Sequence, residues 1–144
     1  MTIFNHYFIA VLVLCACVCE SDSSLDKRNV YQLQQILSKV TGRGAYFDYD
    51  GYGCWCGRGG SGTPVDATDR CCQAHDQCYD RMIAAGCDPY LDIYDYSPNG
   101  SSFTCDSSND ACELGICQCD VDLANCAAAS AFDYSKKNYD RSKC

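Results

Sequence analysis

The chain has 144 residues and a formal net charge of −8, with 11 basic against 19 acidic residues and no basic run, so it is poorly suited to gripping nucleic acid or a strongly anionic lipid surface. Fifteen cysteines in this length mark a disulfide scaffold in an oxidising compartment rather than a cytosolic enzyme. Metal-thiolate chemistry is disfavoured, because secretion oxidises thiols and the chain has no Cys-x-x-Cys pair.

In chain order, residues 1–20 read as a secretory signal. Ile9 to Leu14 is apolar, small residues follow, and the run is shorter than the ~20 residues a bilayer span needs. Residues 21–28 read as a short polar propeptide ending in the dibasic Lys27-Arg28; an ordinary exposed charge pair is the alternative. The mature domain is then 29–144, with 12 cysteines and a net charge of −7. An even count fits six bridges, each contributing roughly 2–4 kcal/mol to a single small domain.

Asn29 to Val40 carries Val30, Leu33, Ile36, Leu37 and Val40 at helical spacing, which predicts a helix capped by Asn29 and ended by Thr41-Gly42-Arg43-Gly44. Residues 45–64 hold Tyr46 and Phe47, then Gly51, Gly53, Gly57, Gly59, Gly60 and Gly62 around Cys54-Trp55-Cys56, and read as loop. Pro64 and Asp66 open a long helix to about Ala85, stopped at Gly86. Residues 88–110 are turn-rich, with a short two-stranded hairpin around Thr104. A second long helix runs from about Asn109 to Ala129, and a polar irregular tail ends in Cys144. The fold class is therefore mainly α: one disulfide-rich domain with an N-terminal helix, two long antiparallel helices, a glycine loop and a small β-hairpin.

Cys71-Cys72-Gln73-Ala74-His75-Asp76-Gln77-Cys78-Tyr79 carries the chemistry. His75 is one of two histidines, and the other, His6, lies in the predicted signal, so acid–base work near neutral pH in the mature chain falls to His75. Cys71 and Cys78 are seven apart, as are Cys119 and Cys126. Pairing Cys71 with Cys126 and Cys78 with Cys119 suits two antiparallel helices and sets Asp120 beside His75, where a carboxylate would fix the imidazole tautomer. This pairing is a hypothesis, and a merely packed or exposed polar histidine is the competing reading. Asp76 with carbonyls of the glycine loop offers oxygens to a hard cation such as Ca²⁺, provided that Cys56 ties to Cys72; a plain surface loop is the alternative.

Taken together, the segments Tyr52 to Asp66, Asp69 to Tyr79, and Asn109 to Cys112 with Cys117 to Asp120 resemble the secreted, calcium-dependent phospholipase A2 family, in the right order and over nearly all of 29–144. The resemblance implies a Ca²⁺-dependent hydrolase of the sn-2 ester of glycerophospholipids, secreted and acting at membrane or micelle surfaces. It implies that His75 activates a water and Asp120 orients it, with support from Tyr79 and Tyr94. Trp55, Gly57 and Gly59, through their carbonyls, and Asp76 hold Ca²⁺, and the Gly57 N–H joins the oxyanion hole. Val30, Leu33 and Leu37 line an acyl channel, Tyr90 touches the substrate phosphate, and Val30, Tyr31, Tyr46 and Phe47 form a membrane-facing rim. Six bridges follow from it: Cys54–Cys144, Cys56–Cys72, Cys71–Cys126, Cys78–Cys119, Cys87–Cys112 and Cys105–Cys117. The pattern is nearest the pancreatic and cobra-type branch, except that Lys39 and Pro98 replace the two cysteines of that branch's extra bridge. A catalytically silent toxin or binding module on the same scaffold is the alternative function.

Overall fold

The structure, a computed structural model, describes residues 26–144. The predicted signal and most of the predicted propeptide lie outside the described residues, together with Cys15, Cys17, Cys19 and His6.

Three helices carry the domain: α1 (Asp26–Thr41), α2 (Ala67–Ala84) and α3 (Ala111–Ala129). A single antiparallel hairpin joins β1 (Tyr96–Asn99) to β2 (Ser102–Cys105). The apolar stripe of α1 does what its spacing predicts: Ile36 and Leu37 are buried, and Leu33 and Val40 pack on the same core. Gly42, at φ 67°, ends the helix, and its N–H donates to Ser38 O.

The start of α1 corrects the sequence reading. The helix begins at Asp26, not after a capping Asn29. Asn29 is buried inside the first turns, where its amide Nδ2 donates to Asp92 O at 2.6 Å and its Oδ1 accepts from Tyr79 Oη at 3.3 Å. Long-range polar partners, invisible to local propensity, claimed the side chain that a cap would have used.

The other two helices start as their first turns dictate. Asp66 caps α2 by accepting from Asp69 N, and Asp110 forms a capping box with Glu113 at the head of α3. Both starts fall within two residues of the expected ones. The hairpin takes in Ser97, Pro98 and Asn99, which read as turn from composition, and leaves only Gly100-Ser101 between the strands. Pro98 is tolerated because a two-stranded sheet consists of edges. A π-helical turn, Ala45–Tyr49, and two 3-10 turns in the tail, Tyr134–Lys136 and Arg141–Lys143, have no counterpart in the sequence reading.

Packing of α2 on α3 is covalently fixed by Cys71–Cys126 and Cys78–Cys119, with Cα separations of 5.7 and 5.8 Å. Cys56–Cys72 draws the glycine loop onto α2, and Cys54–Cys144 draws the C-terminus onto that loop. Cys87–Cys112 and Cys105–Cys117 fasten the turn-rich segment and the hairpin to α3. Tyr49, Tyr52, Ile116, Val121, Leu123 and Ala124 fill the space between these elements.

Candidate active site

His75 lies in mid-α2 and Asp120 in mid-α3, each turned into the seam that the two bridges close. His75 is 8 % exposed and Asp120 is fully buried, with Nε2 of the imidazole 2.8 Å from Asp120 Oδ1. A carboxylate only accepts, so the contact fixes the neutral imidazole with its proton on Nε2 and its lone pair on Nδ1. Two further hydroxyls complete the carboxylate: Tyr79 Oη donates to Oδ1 at 2.8 Å and Tyr94 Oη donates to Oδ2 at 2.5 Å. Tyr79 is bound in turn to Asn29, which links α1 to the network. With its partners supplied on both oxygens, the buried charge is satisfied rather than orphaned.

The titration of these groups follows from burial and charge. Burial works against the protonated form of His75, but the hydrogen bonds and negative charge of Asp120 and then Asp76 outweigh it and raise the pKa to about 9. Burial first, and the Asp120 charge second, push Tyr79 and Tyr94 well above the ordinary phenol range, so both remain hydrogen-bond donors.

The Nδ1 side of His75 opens toward Asp76, whose Oδ1 lies 3.9 Å away and whose side chain is 36 % exposed. Across from Asp76 stands the glycine loop. Gly60 is the hinge of that contact: a Cβ there would sit 2.7 Å from Trp55 O and 3.0 Å from Asp76 Oδ2, so the space between the two oxygens stays open only because position 60 is glycine. The loop carbonyls divide by parity. Cys54 O, Cys56 O and Arg58 O each accept hydrogen bonds, from Ser61 N, from Gly51 N and Arg141, and from Arg141 respectively. The intervening Trp55 O, Gly57 O and Gly59 O accept none among the described residues. Trp55 is half-buried and Gly57 and Gly59 are exposed, so these three carbonyls are open to solvent or a ligand. With the Asp76 carboxylate, which approaches Trp55 O across Gly60, they are oxygens of the kind a hard cation takes. Among the described residues no group of three or more His, Cys, Asp or Glu side chains could hold a metal, so a cation here would rest on one carboxylate and main-chain oxygens.

Gly57 has φ 96°, and a Cβ there would meet Asp50 Oδ1 at 2.2 Å; its N–H is free of protein partners among the described residues. Leu37 is buried, whereas Val30 and Leu33 are half-buried on the same helix. Tyr90 is half exposed, with its ring edge-on to Tyr79 at 5.9 Å. Tyr31, Tyr46 and Phe47 are exposed, Phe47 to 79 %. Lys39 and Pro98 both line a cavity of about 400 Å³ between α1 and the hairpin, a cavity that His75 does not line.

Two residues that the sequence reading left without a role hold the loop. Asp69, fully buried, accepts from Cys54 N, Trp55 N and Val65 N at 2.8 to 2.9 Å, and a Cβ on Gly53 would collide with its carboxylate. Arg141 reaches the loop from the tail. In the sequence, Asp69 passes for an ordinary first-turn acid and Arg141 for a surface cation; only the Cys54–Cys144 bridge hints that the tail comes near.

The Phospholipase A2 family model matches residues 30–139. Phospholipase A2 of Bos taurus is 37 % identical over 143 residues, covering 94 % of this chain and 99 % of its own. Acidic phospholipase A2 2 of Naja naja is 40 % identical over 118 residues, covering 81 % of this chain and 99 % of its own. The membrane-associated phospholipase A2 of Cavia porcellus is 39 % identical over 127 residues, 88 % of each chain. The chain belongs to the phospholipase A2 family and is a phospholipase A2, an enzyme that hydrolyses the sn-2 ester of glycerophospholipids.

Proposed function

We propose, taking this family membership as the premise, that His75 is the general base of a secreted, Ca²⁺-dependent hydrolysis at lipid surfaces. The observation that carries the reading is the open Nδ1 of His75 beside Asp76 and the three unengaged carbonyls of the loop. Asp120 holds Nε2–H, so Nδ1 takes a proton from water as its oxygen attacks the sn-2 carbonyl carbon. Collapse of the tetrahedral species breaks the bond to the glycerol oxygen, and Nδ1–H returns the proton to that oxygen. A free fatty acid and a lysophospholipid result. Tyr79 and Tyr94 hold the Asp120 carboxylate in place without joining the proton transfer.

Trp55, Gly57 and Gly59 through their carbonyls, with Asp76, are the residues that would hold Ca²⁺. Once bound, the cation polarises the ester carbonyl and offsets the negative charge that develops on its oxygen. The free Gly57 N–H is available to the same oxygen as a second donor. Val30, Leu33 and Leu37 supply an apolar wall for the acyl chain, and Tyr90 a hydroxyl for the phosphate.

Secretion is supported by the six disulfides, which need an oxidising compartment, and we keep 1–20 as the signal and 21–28 as the propeptide. Among the described residues no helix is long and apolar enough to cross a membrane, and the exposed Tyr31, Tyr46 and Phe47 suit peripheral docking. The experiment is hydrolysis of phosphatidylcholine vesicles labelled in each acyl chain separately, in Ca²⁺ and in EGTA. Release of the sn-2 chain in Ca²⁺ alone is expected; undiminished release in EGTA would overturn the cation reading.

A further inference from the structure

The tail makes a contact that the chemistry above does not use. Arg141 opens the last 3-10 turn, three residues before the cysteine bridged to Cys54. Its Nη2 donates to Cys56 O at 2.8 Å and its Nη1 to Arg58 O at 2.5 Å. Arg141 makes no ion pair among the described residues, so these two carbonyls are what its guanidinium serves. A planar fork that grips two carbonyls two residues apart fixes the peptide plane leading into Gly57 and the one leading into Gly59. Those glycines sit at φ 96° and 74°, where the backbone has no Cβ to hold it. The packing around the contact is close: a Cβ on Gly62 would lie 2.3 Å from Cys144 O.

We propose that Arg141 is a positioning residue for the cation. By engaging Cys56 O and Arg58 O, it presets the alternate carbonyls of Trp55, Gly57 and Gly59 for Ca²⁺. The proposal rests on the Ca²⁺ reading above. It also opposes simple electrostatics. A fixed positive charge near a cation site repels the cation, so loss of Arg141 through charge alone would tighten Ca²⁺ binding. Loss of the brace weakens it. The two effects have opposite signs, and the sign identifies the role.

The test is a Ca²⁺ titration without lipid, on the full disulfide-bonded protein, by calorimetry and by the fluorescence of Trp55, the chain's single tryptophan and itself in the loop. For Arg141→Ala the expected result is Ca²⁺ binding weaker by about tenfold, the scale of one charge-assisted hydrogen bond, with the melting temperature in EGTA nearly unchanged. Arg141→Lys keeps the charge but loses the fork, and should fall between wild type and Arg141→Ala. Equal or tighter binding by Arg141→Ala overturns the proposal while the cation site stands. If Arg141→Ala fails to fold, Arg141→Lys decides, and wild-type affinity in that variant overturns it. Failure of the wild type to bind Ca²⁺ overturns the cation reading and this proposal together.

Discussion

The two halves of the site are held by different forces. His75 and Asp120 sit on two long helices clamped by two disulfides, and every polar atom of the carboxylate is bound to a buried partner. The glycine loop has no secondary structure of its own. Between its two anchoring bridges, Cys54–Cys144 and Cys56–Cys72, it is hung from the side chains of Asp69 on one side and Arg141 on the other, by hydrogen bonds to its main chain. The contrast teaches that the proposed base is preorganised by the fold, whereas the proposed cation-facing half depends on residues outside the proposed ligand set.

The sharpest way to break the helical half is His75→Gln. Hydrolysis should fall by roughly 10²–10⁴-fold, the usual range for loss of a general base, with circular dichroism unchanged. A folded variant that keeps a substantial fraction of activity would remove His75 from its role. The corresponding blow to the loop is Asp69→Ala. It strands three main-chain donors in a buried place and should cost about 3 kcal/mol or more in denaturant unfolding, with Ca²⁺ binding lost as well. A loss under about 1 kcal/mol would show that the loop is held by its disulfides alone.

A titration sharpens the comparison, because both halves act on His75. Its pKa is raised to about 9 in the folded chain, against an ordinary value near 6.5. Protonated His75 therefore stabilises the fold fully below pH ~6.5, and that contribution fades as pH rises through about 9. By NMR in EGTA, Asp120→Asn should lower the His75 midpoint most and Asp76→Asn less, since both carboxylates favour the charged ring. A rise in either variant would contradict the assigned causes. The direction also matters for catalysis: a base must be neutral to accept a proton, and a cation on Asp76 cancels part of what keeps His75 charged.

The smallest expected effect lies outside both halves. Phe47→Ala and Tyr46→Ala should each weaken partitioning onto phosphatidylcholine vesicles by about 1 kcal/mol, measured with the inactive His75→Gln background. Unchanged partitioning would move the docking face elsewhere. Strong salt-sensitive preference for anionic vesicles would do the same, and Lys137 is already paired with Asp48 at 2.8 Å.

What could be read from the sequence follows the same division. Helical periodicity in Leu33, Ile36, Leu37 and Val40, and the seven-residue cysteine spacings on α2 and α3, are local signals, and they locate the helices and bring His75 to Asp120. Asn29 defeated local reasoning because its partners, Asp92 and Tyr79, are 63 and 50 positions away. Asp69 had no signal, since a first-turn carboxylate and one that carries a loop look alike in one dimension, and for Arg141 the expected Cys54–Cys144 bridge hinted only that the tail comes near. The glycines marked where the loop must bend but not what it bends around.

The most direct test of the account is amide hydrogen exchange along the whole domain, in EGTA and in saturating Ca²⁺. Protection of residues 71–79 and 119–126 should already be high in EGTA and unchanged by Ca²⁺, while residues 53–62 gain protection. Equal gains in the helices and the loop would mean that the base is not preformed, and would contradict the central claim.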